Sequence, residues 1–175
     1  MSQLLDDLAA KTPAPGGGWA AAWTAAMAAA LVEMAAAFSD RSVEQARALR
    51  AEALALGERD LTAYQPVLDA MRLPKDDPGR ADQIEAAKRA AAETPREIAR
   101  VAGEVEGLAE ELVADGNPHL EGDANAGLVL ARAAREAASA WSRSTCDRRP
   151  DTTPADLTRS MSLRHDACHG VEQSP

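Results

Sequence analysis

Apolar side chains recur along much of this chain at alternating steps of three and four, the spacing that lines one face of an α-helix. Between residues 42 and 71 the stripe reads Ala46, Leu49, Ala53, Leu56, Ala63, Val67 and Met71, and the slot missing between Leu56 and Ala63 holds Asp60. Pro66 falls in the same stretch; without an N–H for the Thr62 carbonyl it should kink the helix one turn beyond Asp60. A second stripe runs from Ile84 through Ala91, Thr94, Ile98, Val101 and Val105 to Leu112, carries Pro95, and predicts a long bent helix closed by Gly116 in a left-handed cap before Asn117-Pro118. Asp123 reads as the N-cap of a further helix that ends near Trp141. Upstream, residues 3–10 predict a short amphipathic helix, ended by Pro13 and Pro15, with Gly16, Gly17 and Gly18 as a loop. The helix behind that loop, 19–38, is apolar around most of its circumference, with Glu33 its one charged group. Such a helix belongs at the centre of a bundle or at a subunit interface.

Composition sharpens this into a fold class. Aromatic residues are 3% of the 175, alanine is abundant and strand formers are scarce, so the expectation is all-α: a helical bundle with long kinked helices and a central Ala-rich apolar helix. The length fits one domain. A net charge of −9, with no Lys/Arg cluster in the first 140 residues, argues against a nucleic-acid partner. The opening "MSQLLDDLAAKT" carries two aspartates where a secretory signal needs a basic head, and Glu33 interrupts the apolar segment after it, so the expected setting is the cytoplasm, with no membrane. Cys146 and Cys168 have no close-spaced partners that would suggest a disulfide framework or a zinc site. After Trp141 the character changes to an Arg-, Ser-, Thr- and Pro-rich run without apolar periodicity. The expected organisation is therefore a helical domain over 1–141 and a divergent, disordered tail over 142–175.

Asp60 carries the strongest chemical signal in the pattern. A carboxylate on a buried stripe is disfavoured unless it is hydrogen-bonded, ion-paired or used, and desolvation would raise its pKa towards the range suited to taking and returning a proton. An ion pair with an arginine across the bundle explains it equally well, and the pattern leaves both open. The glycine run offers bare backbone and free N–H groups at a helix start, yet taken alone it is a tight turn; no Lys-Ser/Thr follows and no strand precedes it. By themselves Arg72 and Lys75 read as a solvated loop end, Asn117 as part of a turn and Asp123 as a cap. His165, Cys168 and His169 lie in the tail without fixed geometry, so no metal site is expected.

Taken in order, "PAPGGGWAAAWTAAMAAAL", "RDLTAYQPVLDAMRLPK", "ETPREIARVAGEV" and "DGNPHLEGDANAGLVLA" resemble the formiminotransferase-cyclodeaminase family in its small stand-alone form, over about residues 3–140. The resemblance implies an all-helical homodimer that binds a tetrahydrofolate derivative as substrate, with no tightly bound cofactor and no metal. By resemblance Asp60 is the catalytic acid/base; Pro15, Gly16, Gly17 and Gly18, together with Asn117 and Asp123, line the pterin pocket; and Arg72 and Lys75 meet the substrate's carboxylates. The implied reaction is hydrolysis of 5,10-methenyltetrahydrofolate to 10-formyltetrahydrofolate, or cyclisation of 5-formiminotetrahydrofolate with loss of ammonia. A non-catalytic folate-binding or helical scaffold derived from the family is the alternative. Two departures stand out. Trp19 replaces the family's Ser after the glycines, and its ring is expected to narrow the pocket. The match also stops at Trp141, where the family continues with an Asn-Val-x-x-Asn-Leu type segment. With permitted GC-rich codons, the bases of "WSRSTC" read one position earlier spell Val-Val-Glu-Val-Asn-Leu, so a tail out of frame is one explanation of the break. Sequencing the gene across codons 135–150 decides it.

Overall fold

Small side chains let helix axes approach closely, and the fold is arranged around the segment that has most of them. The computed structural model describes residues 2–12 and 14–147, and among these every regular element is helical. Helix α1 (Ser2–Ala9) leads into the glycine turn and α2 (Gly17–Ala37). Then come α3 (Glu44–Ala63), α4 (Gln65–Met71), α5 (Arg80–Ala91), α6 (Glu93–Asp115), a 3-10 turn at Pro118–Leu120, and α7 (Glu121–Asp147). Helix α2 is the centre, packed against α3, α6 and α7, with Ala22, Ala25, Ala28 and Ala29 wholly buried. Its length and composition would suffice to cross a membrane, but half of that apolar window is buried inside the bundle. Larger side chains, among them Val32, Leu56, Ile98, Val101 and Val105, fill the space between the neighbours. Helix α7 runs antiparallel to α2: Gly127 faces Ala28 and Val32, and Trp141 faces Gly17 at the other end. The lone charge of α2 is held at the edge of the core, where Glu33 accepts bonds from Arg47 and Arg50 of α3, each at 2.9 Å, and these pull its pKa down.

The prolines break the helices rather than bend them. Helices α3 and α4 are separate, with Tyr64 between them and Pro66 in the first turn of α4, where a missing N–H costs no hydrogen bond. Likewise Ala92 separates α5 from α6, and Pro95 sits buried in the first turn of α6. Other boundaries also differ from expectation. Gly17 and Gly18 are helical, leaving Gly16 as an extended N-cap. Gly116 is not left-handed: its φ is −79° and its ψ −170°, and glycine is needed because a Cβ would collide with the Leu112 carbonyl oxygen. The left-handed cap occurs instead after α2, at Asp40 with φ 53°, where Arg41 N–H bonds to the Ala36 carbonyl. Asp123 lies within the first turn of α7, not at its cap; Asn117 caps the preceding 3-10 turn by accepting from His119 N–H at 3.0 Å. Helix α7 also passes Trp141 and continues to Asp147, with Ser142 and Thr145 buried. The remainder of the tail, including His165, Cys168 and His169, lies outside the described residues.

The close approach of α2 to its neighbours makes a direct demand on side-chain volume. Ala25→Leu should destabilise the fold by about 1–3 kcal/mol through overpacking. Urea unfolding of the two proteins checks this, and an unchanged midpoint would show that the α2 seam has room to spare.

Candidate functional site

A helix start leaves N–H groups without intrahelical acceptors. At the head of α2 the chain supplies no local cap: the Ala14-Pro15 peptide is cis, Gly16 has no side chain to offer, and the first intrahelical bond is Ala20 N–H to Gly16 O at 3.0 Å. The acceptor comes from α3. Asp60 reaches across and its carboxylate takes the backbone N–H of Trp19. It can do so because the adjoining residue has no side chain: a Cβ on Gly18 would lie 2.7 Å from both Cγ and Oδ2 of Asp60, closer than nonbonded carbon and oxygen atoms tolerate. Gly18 is therefore a seat for a carboxylate.

Two effects act on that carboxylate in opposite senses. Burial raises its pKa above the ordinary 3.8, the Trp19 N–H lowers it, and burial dominates. Among the described residues no arginine pairs with it. Arg59, its sequence neighbour, turns to α6, pairing with Glu97 at 2.8 Å and bonding Thr94 Oγ1 at 3.1 Å. Because the folded-state pKa is raised, protonation favours the folded chain. This contribution is complete below the unfolded value and is lost as pH rises through the folded one.

Beside Asp60 lies a cleft of about 240 Å³, open to solvent on one side. Gly16 borders it from the turn, Asp60, Tyr64 and Leu68 from α3 and α4 with the break between them, and Trp141 and Thr145 from α7. Tyr64 shares a helix face with Asp60, four residues earlier. Trp141 rests its ring on the turn, with Cε3 3.5 Å from where a Cβ on Gly17 would be. Trp19 does not narrow the cleft: it is 5% exposed, packs at a tilt against Trp23 at a centroid distance of 5.1 Å, and is not among the lining groups.

The other residues singled out in the sequence stand apart. Arg72 and Lys75 are exposed after α4, Arg72 pairing with Asp69 at 2.7 Å, and neither borders the cleft. Asn117 donates to the Phe38 carbonyl at 2.9 Å, so it and Asp123 lie at the opposite end of α2. At 1.5 Å per residue that end is roughly 30 Å from the glycines. The pattern of the sequence pointed to Asp60 and the glycines but missed Tyr64, Trp141 and Thr145. Tyr64 was discoverable from its i+4 spacing to Asp60. Nothing local marks Trp141, which reaches the turn through the antiparallel run of α7.

Gly18→Ala should leave the helical circular dichroism intact and expel the carboxylate from its seat. A carbon-detected NMR titration of the Asp60 carboxyl group should then move back towards 3.8. An unmoved titration would show that the bare backbone is not what holds the side chain.

Comparison with known proteins places the chain in a family and matches its fold. The formiminotransferase-cyclodeaminase family profile matches residues 1–143. A methenyltetrahydrofolate cyclohydrolase of Methylorubrum extorquens is 32% identical over 153 residues, spanning 78% of this chain and 74% of the relative. The crystal structure of a formiminotetrahydrofolate cyclodeaminase from Thermotoga maritima superposes with a TM-score of 0.76 at 22% identity, covering 95% of this chain and 86% of that one, and shares the fold. With its profile matched over most of the length and a relative at that identity, the chain belongs to the formiminotransferase-cyclodeaminase family.

Proposed function

We propose that this chain acts on the one-carbon unit of a tetrahydrofolate, with Asp60 as general acid/base. The observation that carries the reading is the position of Asp60: a carboxylate without a cationic partner among the described residues, half-buried on the wall of a small cleft, its pKa raised by burial. A carboxylate whose pKa is raised gives back a proton more readily than it would in water, as a general acid/base must. In the cyclohydrolase direction, water attacks the electron-poor carbon between N5 and N10 of 5,10-methenyltetrahydrofolate while Asp60 takes a proton from it. The C–N5 bond of the resulting hydroxyl adduct then breaks as the proton is returned to N5; the adduct's hydroxyl proton is lost to solvent, leaving 10-formyltetrahydrofolate. In the cyclodeaminase direction, N10 of 5-formiminotetrahydrofolate attacks the formimino carbon and the same carboxylate transfers a proton to the departing ammonia. The cyclohydrolase name of the relative from Methylorubrum extorquens favours the first. The substrate's amidinium is electrophilic by itself, so neither route calls for a resident cofactor. A folate-binding scaffold without turnover is the competing reading, and the same assay separates the two.

Asp60→Asn should fold normally and lower the rate of loss of methenyltetrahydrofolate absorbance at least about 100-fold, the scale of positioned acid–base catalysis. In the unsubstituted protein the rate should fall on the acid side, at a pH above 3.8, as Asp60 becomes protonated. A variant as fast as the parent removes Asp60 from the mechanism.

The homodimer belongs to the same proposal. One side of α2 remains uncovered, with Met27 51% exposed and Phe38, its C-cap, 63% exposed, and Ala30 between them. This face is apolar, free of charge and able to pack on its own copy. Met27→Glu should convert the dimer into a monomer in sedimentation analysis; equal masses for both proteins would place the interface elsewhere.

A further inference from the structure

Trp141 is a large group in the cleft that neither the pattern of the sequence nor the acid–base chemistry accounts for. It lies in α7, with the benzene half of its indole over Gly17, and it borders the cleft that also holds Asp60. It is fixed there from several sides. The ring lies flat over the turn, where even a Cβ at Gly17 would meet it at ordinary van der Waals distance. One residue on, Ser142 is buried and its hydroxyl donates to the Ala92 carbonyl at 3.4 Å, at the break between α5 and α6. Thr145, one turn later, is buried too and donates to the Trp141 carbonyl at 3.0 Å. The two other indoles, Trp19 and Trp23, pack against each other at a tilt, and Trp19 is buried and does not border the cleft.

Charge in the cleft is just as specific. Among the described residues that line it Asp60 is the one with a charged side chain at neutral pH, and no described lysine or arginine borders it. A half-buried indole and a carboxylate on adjoining walls, with no competing cation, suit a flat heterocycle that is electron-poor or positively charged. The π face attracts the charge and the ring area is removed from water. A volume of about 240 Å³ is below the usual range for whole drug-sized ligands, so it takes a bicyclic ring while a longer tail leaves through the open side.

We infer that Trp141 is a substrate-binding residue of this cleft, the stacking face that holds the pteridine ring with its one-carbon bridge turned to Asp60. This rests on the folate reading above and adds to it a specificity-determining contact supplied by α7.

The test uses the full chain and compares Trp141→Phe, Trp141→Leu and Trp141→Ala with the parent. The probe for equilibrium binding by calorimetry is 5-formyltetrahydrofolate, a stable reduced folate without the reactive bridge. p-Aminobenzoylglutamate, which has the tail and no pteridine, is the control. Losing an aromatic stacking partner is expected to weaken pteridine binding about tenfold in Trp141→Leu and Trp141→Ala, with Trp141→Phe within about threefold of the parent. Binding of the control should be the same in all four. In turnover of methenyltetrahydrofolate the loss should fall mainly on KM. Trp141→Leu fills most of the same space without a π face, so it decides the matter even if Trp141→Ala fails to fold. A parent that binds the probe, with Trp141→Leu binding it equally well or better, overturns the stacking assignment and leaves the folate reading intact. A parent that neither binds the probe nor consumes methenyltetrahydrofolate overturns the folate reading itself, and the assignment with it.

Discussion

The site depends on a carboxylate seated where the chain has left out a side chain. At the head of α2 the backbone presents N–H groups that its own helix cannot satisfy, and Gly16 cannot cap them. Asp60 does so from a different helix, at a place only glycine leaves open. The bond and the positive end of the helix favour the ionised form, whereas removal from water opposes it more strongly. The net result is a carboxylate that is anchored in position yet remains easy to protonate. A second anchor, such as an arginine, would have held it as firmly and made it inert; Arg59 instead serves the α3–α6 contact.

Packing and chemistry are linked through small residues. The alanines of α2 let α3 and α7 come close, and that closeness brings Asp60 from one side and Trp141 from the other to the same turn. Gly127 serves the approach of α7 midway along, lying against Val32 and the Ala28 carbonyl. The breaks before Pro66 and Pro95 place Tyr64 at the cleft and turn the Ala92 carbonyl towards Ser142.

Much of this was legible in the order of the residues, and the part that was not has physical causes. Periodicity exposes what departs from it, so Asp60 was visible as a gap in a stripe, and α2 as the central helix from its lack of a polar face. Helix interruptions were harder to grade: a proline within a stripe permits a bend or a full stop, and the choice depends on whether neighbours can accept the broken end. Gly116 showed another limit, because glycine answers to crowding as well as to a left-handed backbone, and here the Leu112 carbonyl is the reason. Asn117 and Asp123 looked like members of one site with the glycines, but the antiparallel course of α7 carries them to the far end of α2 within a protomer. Trp141 was read as the place where order stops, since its contacts lie with elements distant in the chain.

The course of α7 has a consequence for biosynthesis. Gly16, Gly17 and Asp60 emerge from the ribosome early, together with the alanine-lined centre against which α3 packs. The aromatic wall follows only after α6 and most of α7 have been made. A nascent chain can thus assemble most of its interior while the cleft still lacks a side, and premature termination before the last turns of α7 would yield a largely folded product without Trp141 and Thr145 on the cleft wall.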